Sequence, residues 1–217
     1  MKIAILGGTG HFGKGLSFRW SRNHEVIIGS REESKAAQKA ELFNAELSKF
    51  SARNPIVGMS NQKAVQQAQM IVLSLRFNHL LPWLKEMRPL FHSQIILSPV
   101  VPLIKKDIFE YVPPPEGSAA LAIRSLLPGS CQVIAALHTV PAADMSDLNK
   151  KIEGDVVGCG DDGESKKLVK TLIEEIESLR FLYGGPLEVS KMVEPLTSLI
   201  LNLKLFDLKK DLTIKFL

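Results

Sequence analysis

Only two cysteines occur in 217 residues, Cys131 and Cys159, far apart and each at the edge of an apolar stretch. That scarcity excludes a CxxC redox pair and a cysteine-built metal cluster, and leaves buried free thiols as the expectation. No apolar run approaches the roughly 20 residues that a bilayer span needs. No small-residue cleavage site follows the apolar start of the chain, so a cytoplasmic protein without membrane association is expected. Blocks of like charge are missing too. The 27 Lys and Arg against 23 Asp and Glu leave +4, spread along the sequence, which argues against a nucleic-acid stripe and for small anionic ligands. Neither an internal repeat nor a low-complexity tract appears. No nucleophile motif, His-Asp pair or metal-ligand spacing stands out, so the sequence offers no catalytic acid or base and no metal site.

What is present is a regular alternation. Lys2 to Leu6 is a strand-like run that stops at glycines, and "HFGKGLSFRWSR" follows with Phe12, Leu16 and Trp20 at helical spacing. "VIIGSR", a weak strand at residues 56–58, "MIVLSL", "QIILSPVVP" and "QVIAAL" repeat the theme between helical segments. Buried strands alternating with helices predict an α/β, Rossmann-type doubly wound parallel sheet. The proline-rich "YVPPPEG" interrupts it as a surface loop near the rim of the active site. From residue 142 the pattern changes to a small C-terminal α/β lobe: "DVVGCG", the amphipathic "ESKKLVKTLIEEIESL", and a long apolar helix "VEPLTSLILNLKLF". That helix is apolar around most of its circumference and predicts burial in an interlobe core or a homodimer interface. The expected division is residues 1–141 and 142–217.

Gly8-Thr9-Gly10-His11-Phe12-Gly13 fits G-x-G-x-x-G, placed between a strand and a helix as the motif requires. Gly8 permits the tight turn, Gly10 lets a pyrophosphate approach the backbone, and Gly13 allows close helix packing. The helix start offers free N–H groups to the anion. The second strand of such folds ordinarily ends in an acid that binds ribose and repels a 2′-phosphate. Here it ends in Ser30 and Arg31, with Lys35 one helical turn beyond, a set that donates hydrogen bonds and positive charge and so selects NADP. Thr9 can reach the same phosphate. His79 and His138 fall just past the fourth and sixth strands, at the carboxyl ends where ligands bind in such sheets.

Together "MKIAILGGTGHFGKGL", "VIIGSR", "ILSPVVP", "ALHTVPAA", "CGDDGESKKLV", "GGPLEVSKMVEPLTSLILNL" and the terminal "IKFL" resemble the archaeal F420-dependent NADP reductases over nearly the whole chain. The resemblance implies hydride exchange between the 5-deazaflavin coenzyme F420 and NADP, with the rings stacked in a cleft between the Rossmann domain and the C-terminal lobe. It implies NADP contacts at Thr9, Gly10, His11, Phe12, Ser30, Arg31 and Lys35, with Leu75, His79, Val101, Ala142 and Leu212 toward the nicotinamide. It places the deazaflavin over Ser98, Pro99 and Val100 and over His138, Thr139, Val140 and Pro141. Three departures from the family pattern stand out: Ser74-Leu75-Arg76-Phe77 replaces a Thr-Ile-Pro-Trp, Thr213 replaces a glycine, and the prolines at 113–115 differ from the family loop. The competing readings are an NADPH-dependent flavin or ferric reductase, separable by its acceptor, and a non-catalytic NADP-sensing regulator, which would bind NADP without turnover.

Overall fold

The apolar alternation at the start of the chain forms β1 (Lys2–Leu6), with Ile3 and Ile5 in the core on one face of a sheet and Ala4 and Leu6 in the core on the other. In the computed structural model, which describes residues 1–50 and 53–217, this strand lies inside an eight-stranded sheet. It is followed by α1 (His11–Trp20), β2 (Glu25–Ser30), α2 (Glu33–Leu47), β3 (Val57–Ser60), α3 (Asn61–Gln67), β4 (Met70–Leu73), α4 (Phe77–Met87) and β5 (Ile95–Ser98). A small hairpin comes next, β6 (Leu103–Lys105) and β7 (Phe109–Tyr111), then α5 (Ala119–Leu126), β8 (Gln132–Ala135) and α6 (Ala142–Ser146). The remainder is β9 (Gly154–Gly160), α7 (Gly163–Glu174), β10 (Leu179–Gly185), α8 (Ser190–Val193) and α9 (Leu196–Leu203).

The strand order is β10-β9-β8-β5-β4-β1-β2-β3. The six strands from β3 to β8 are parallel and wind outward in both directions from the β1–β4 pair, a topological switch point of the kind that opens a ligand crevice at the strands' carboxyl ends. Helices α1, α2 and α7 cover one face through Leu16, Phe43 and Leu172, while α3, α4 and α5 cover the other through Val65, Leu84 and Ile123. Trp20, fully buried, donates from its indole to the Leu172 carbonyl at 2.8 Å and ties α1 to α7. Both cysteines are buried and free.

Three differences from the sequence reading follow from long-range contacts. The sheet is mostly rather than wholly parallel: β9 pairs antiparallel to β8 at Ile134↔Gly160 and Ala135↔Cys159, so β9 and β10 extend the main sheet beyond residue 142. β10 itself gives little sequence signal, because its residues alternate without turn punctuation until Gly184. The long apolar helix is interrupted. Pro195 supplies no N–H, so α8 ends at Val193, α9 starts at Leu196, and a wider π turn spans Lys204–Leu208. No residue of α9 is fully buried.

The elements beyond β8 are pinned by polar groups at three places. The Arg19 guanidinium donates to the carbonyls of Met145, Asp144, Asp147 and Lys150, holding the end of α6. At Gly15 a Cβ would stand 2.5 Å from that of Met145, so α1 and α6 meet through the glycine. Glu194, fully buried between α8 and α9, accepts from the amides of Ala119 and Ala120 at 2.8 and 3.0 Å and from the Tyr111 phenol at 3.1 Å. One carboxyl thereby joins the start of α5, the hairpin and the base of α9. Asp155 receives both nitrogens of an Arg180 fork at 2.7 Å and the amide of Phe216 at 2.6 Å, which fastens the C-terminal tail to β9.

Candidate active site

The glycine turn is shaped as the motif requires. Gly7 sits at φ +75°, and a Cβ there would lie 2.4 Å from the Ser74 carbonyl oxygen. At Gly8 it would meet Ile5 O at 2.6 Å and at Gly13 the backbone of Gly8 at 2.5 Å. Among the described residues a Cβ at Gly10 would meet, beyond its chain neighbours, just Gly7 O at 3.6 Å. The backbone at Gly10 therefore faces open space at the start of α1, a cradle that a larger residue would fill and a phosphate can enter. Thr9, Gly10 and His11 line a groove with Lys14, Lys39 and Leu42. Ser30 ends β2 half-buried, its hydroxyl accepting from the Glu32 amide at 3.4 Å, and Arg31 and Lys35 are exposed beyond it. Phe12 is half-buried and packs against the core from the first turn of α1.

A second region adjoins the first through His11. A pocket of about 490 Å³ lies beneath α9, walled by His138, Thr139, Val140, Pro141 and Ala142 on one side. Thr197, Ile200, Leu201 and Lys204 from α9, with Asp211 and Leu212 from the tail, close it opposite. Leu137, at φ +71°, occupies the left-handed region that a leucine seldom adopts and turns the chain at the end of β8. The His138 carbonyl accepts from the Thr197 hydroxyl at 3.0 Å, fixing α9 to this turn. The His138 ring is buried, and among the described residues neither nitrogen finds a partner in good hydrogen-bond geometry; burial pushes its pKa down to about 4, against an opposite pull from the nearby Ser98 backbone. It is neutral at physiological pH, with one donor and one acceptor unspent. Among the described residues the buried Ser98 hydroxyl, at the end of the adjacent strand β5, is likewise without a partner. Two orphan polar groups at neighbouring strand ends fit a site that a polar-edged ring completes.

The remaining expected positions sit around this crevice without lining the pocket. Leu75 packs toward Gly7, where its Cδ2 would stand 2.9 Å from an added Cβ. His79 is exposed in the first turn of α4. Val100 is in the core, and Pro99 and Val101 are half-buried after β5. Arg76 stands exposed at the N-cap position of α4 without a side-chain capping bond. Thr213 adopts ordinary negative-φ backbone and donates to the Glu153 carbonyl at 2.6 Å, its side chain filling the space over Gly154. The proline loop stays on the surface and contributes nothing to the pocket wall. Sequence reasoning missed Ala143, Thr197, Ile200, Leu201, Lys204 and Asp211. The signal is the apolar helix itself, whose pocket-facing side carries the same apolar pattern as an interface or core face. Among the described residues no cluster of His, Cys, Asp and Glu could hold a metal ion.

The family described as "NADP oxidoreductase coenzyme F420-dependent" matches residues 2–102. A protein from Methanocaldococcus jannaschii named F420-dependent NADP reductase is 34% identical over 208 residues, covering 94% of this chain and 93% of its own. This chain belongs to the F420-dependent NADP reductase family. A second member, from Methanothermobacter thermautotrophicus, is 29% identical over 94% of this chain and 90% of its own. A crystal structure from Arthrobacter sp. FB24, named as a candidate F420-dependent NADP-reductase, superposes with a TM-score of 0.82 at 21% identity, covering 100% of this chain and 99% of its own, which establishes the fold. Among the described residues no helix is long and apolar enough to cross a membrane.

Proposed function

We propose that this chain exchanges hydride reversibly between coenzyme F420 and NADP, with NADP held across the glycine turn and the end of β2 and both reacting rings seated in the pocket beneath α9. The observation that carries this reading is the pocket itself: apolar walls and a neutral, unpartnered imidazole, continuous through His11 with a phosphate-ready helix start. When both coenzymes are bound, hydride passes between C5 of the deazaflavin and C4 of the nicotinamide, chemistry that belongs to the two rings. The residues of the chain align the rings and exclude water. Gly8, Gly10 and Gly13 admit the pyrophosphate, while Thr9, Ser30, Arg31 and Lys35 take the 2′-phosphate. Val140, Ile200, Leu201 and Leu212 supply a dry wall, and the neutral His138 and Ser98 offer hydrogen bonds to a ring edge without moving a proton.

In this reading residues 1–141 hold NADP, and residues 142–217 complete the ring pocket and the assembly. Leu199, Leu203 and Phe206 are 56%, 40% and 64% exposed at i, i+4 and i+7 spacing, one apolar stripe that a second copy covers in a homodimer. Two buried free thiols accord with a reducing, cytoplasmic compartment. The test is transfer of deuterium from C5 of reduced F420 to C4 of NADPH in ordinary water, beside parallel assays with FMN and FAD. Retention of the label with F420 as the sole active partner is expected. Loss of the label to solvent, or turnover with FMN or FAD in place of F420, overturns the reading.

A further inference from the structure

A groove of about 460 Å³ lies beside the ring pocket and shares Leu201 and Lys204 with it. Its other walls are Lys105, Phe109, Leu205 and Lys209. Three of six lining side chains are lysines and none is an acid. The groove is built rather than incidental. The Asn202 side chain accepts from the Phe109 amide and donates to the Phe109 carbonyl, each at 2.9 Å, locking the β6–β7 hairpin against α9. Lys204 is paired with Asp211 at 2.6 Å. Nearby Glu110 is taken by Lys106. Lys105 lies 5.5 Å over the Phe109 ring, Lys209 donates to the Leu205 carbonyl at 2.7 Å, and among the described residues neither ammonium has a carboxylate partner.

We infer that this groove holds the anionic side chain of the deazaflavin coenzyme, with Lys105 and Lys209 facing its phosphodiester and glutamyl carboxylates. The inference rests on the proposed function and adds to it the recognition of the part of the coenzyme that does not react. The phosphates of NADP are accounted for at the other end of the crevice, by the start of α1 and by Arg31. A deazaflavin ring beneath α9 has a polyanionic chain to place, and the cationic groove is continuous with that pocket over Leu201. The apolar bed of Phe109, Leu201 and Leu205 weakens solvent screening around the ammonium groups.

The experiment is equilibrium binding of oxidised F420, followed by its own fluorescence, beside the tail-less deazaflavin that carries only ring and ribityl chain. The expected result is that the Lys105→Ala/Lys209→Ala double variant binds F420 about tenfold more weakly at low ionic strength, while its affinities for the tail-less compound and for NADP stay at the wild-type values. The charge-keeping Lys105→Arg/Lys209→Arg variant retains F420 affinity, and salt weakens wild-type binding of F420 more than that of the tail-less compound. Equal weakening of both deazaflavins, or no weakening of either, overturns the groove assignment and leaves the hydride reading intact. A wild-type protein that binds NADP but neither deazaflavin overturns both.

Discussion

The two ends of the crevice are made in opposite ways. At the end proposed for NADP the turn from Gly7 to His11 and the run from Ser30 to Lys35 are short, local stretches, and the charged groups among them are exposed. At the other end the pocket collects His138 from the end of β8, Ala142 from α6, Thr197 and Leu201 from α9 and Leu212 from the tail, residues separated by as much as the last third of the chain. In the proposed function the first end works through charge and backbone N–H groups in water. The second works through exclusion of water around groups whose partners are missing. A site of the first kind depends on a few side chains, whereas one of the second kind depends on the clasps that hold its elements together.

The largest effect is therefore expected at a clasp that touches no ligand. Glu194→Ala leaves two buried amides and the Tyr111 phenol without their acceptor, and should cost about 3 to 4 kcal/mol in urea unfolding. Loss below about 1 kcal/mol would mean that the ring end is no more interdependent than the NADP end.

Next come two opposed pH dependences. Burial lowers the His138 pKa to about 4 from 6.5, so its contribution to stability is complete above pH 6.5 and is lost as pH falls toward 4. Burial raises the Glu194 pKa to about 7 from 4.5, against the pull of two backbone amides and the phenol, so its contribution is complete below pH 4.5 and is lost as pH rises toward 7. Relative to the wild type, His138→Asn should lose about 2 kcal/mol of stability between pH 4.5 and 7. Glu194→Gln should lose about as much between pH 6.5 and 4. Denaturant melts of both variants across this range check the signs, and variant curves parallel to the wild type would refute them.

At the NADP end the effects fall on binding and leave the fold alone. Arg31→Ala should weaken NADP by about 1.5 to 3 kcal/mol and barely change NAD, read in a titration of each. Equal weakening of the two dinucleotides would remove the 2′-phosphate assignment. The smallest effect belongs to Lys35→Ala, a single exposed ammonium on α2, expected to weaken NADP by about 0.5 to 1 kcal/mol and to vanish in high salt. Persistence of that loss at 1 M salt would mean that Lys35 is bound more intimately than a screened point charge.

What could be read from the sequence is what lies within one strand-turn-helix step. The glycine spacing, the exchange of an acid for Ser30 and Arg31, and the alternation that makes β1 a two-faced core strand are all local. Each depends on dihedral preference, a side chain's charge or a period of two, which the residues carry wherever they are. The apolar run from Val193 to Phe206 also announced a helix in need of burial. The sequence could not say that Pro195 interrupts it, that Thr197 would bond the turn at His138, or that one side would wall a pocket while Leu199 and Phe206 stayed exposed. Nor could it pair β9 antiparallel to β8, because strand direction is set by how the connection before it, here through α6, returns the chain to the sheet. His138 shows the boundary most clearly. Its place after a strand was visible in one dimension, but its neutrality and its unpartnered nitrogens come from surroundings assembled by Arg19, Glu194 and Asp155 at a distance, since burial is a property of packing and not of any single residue.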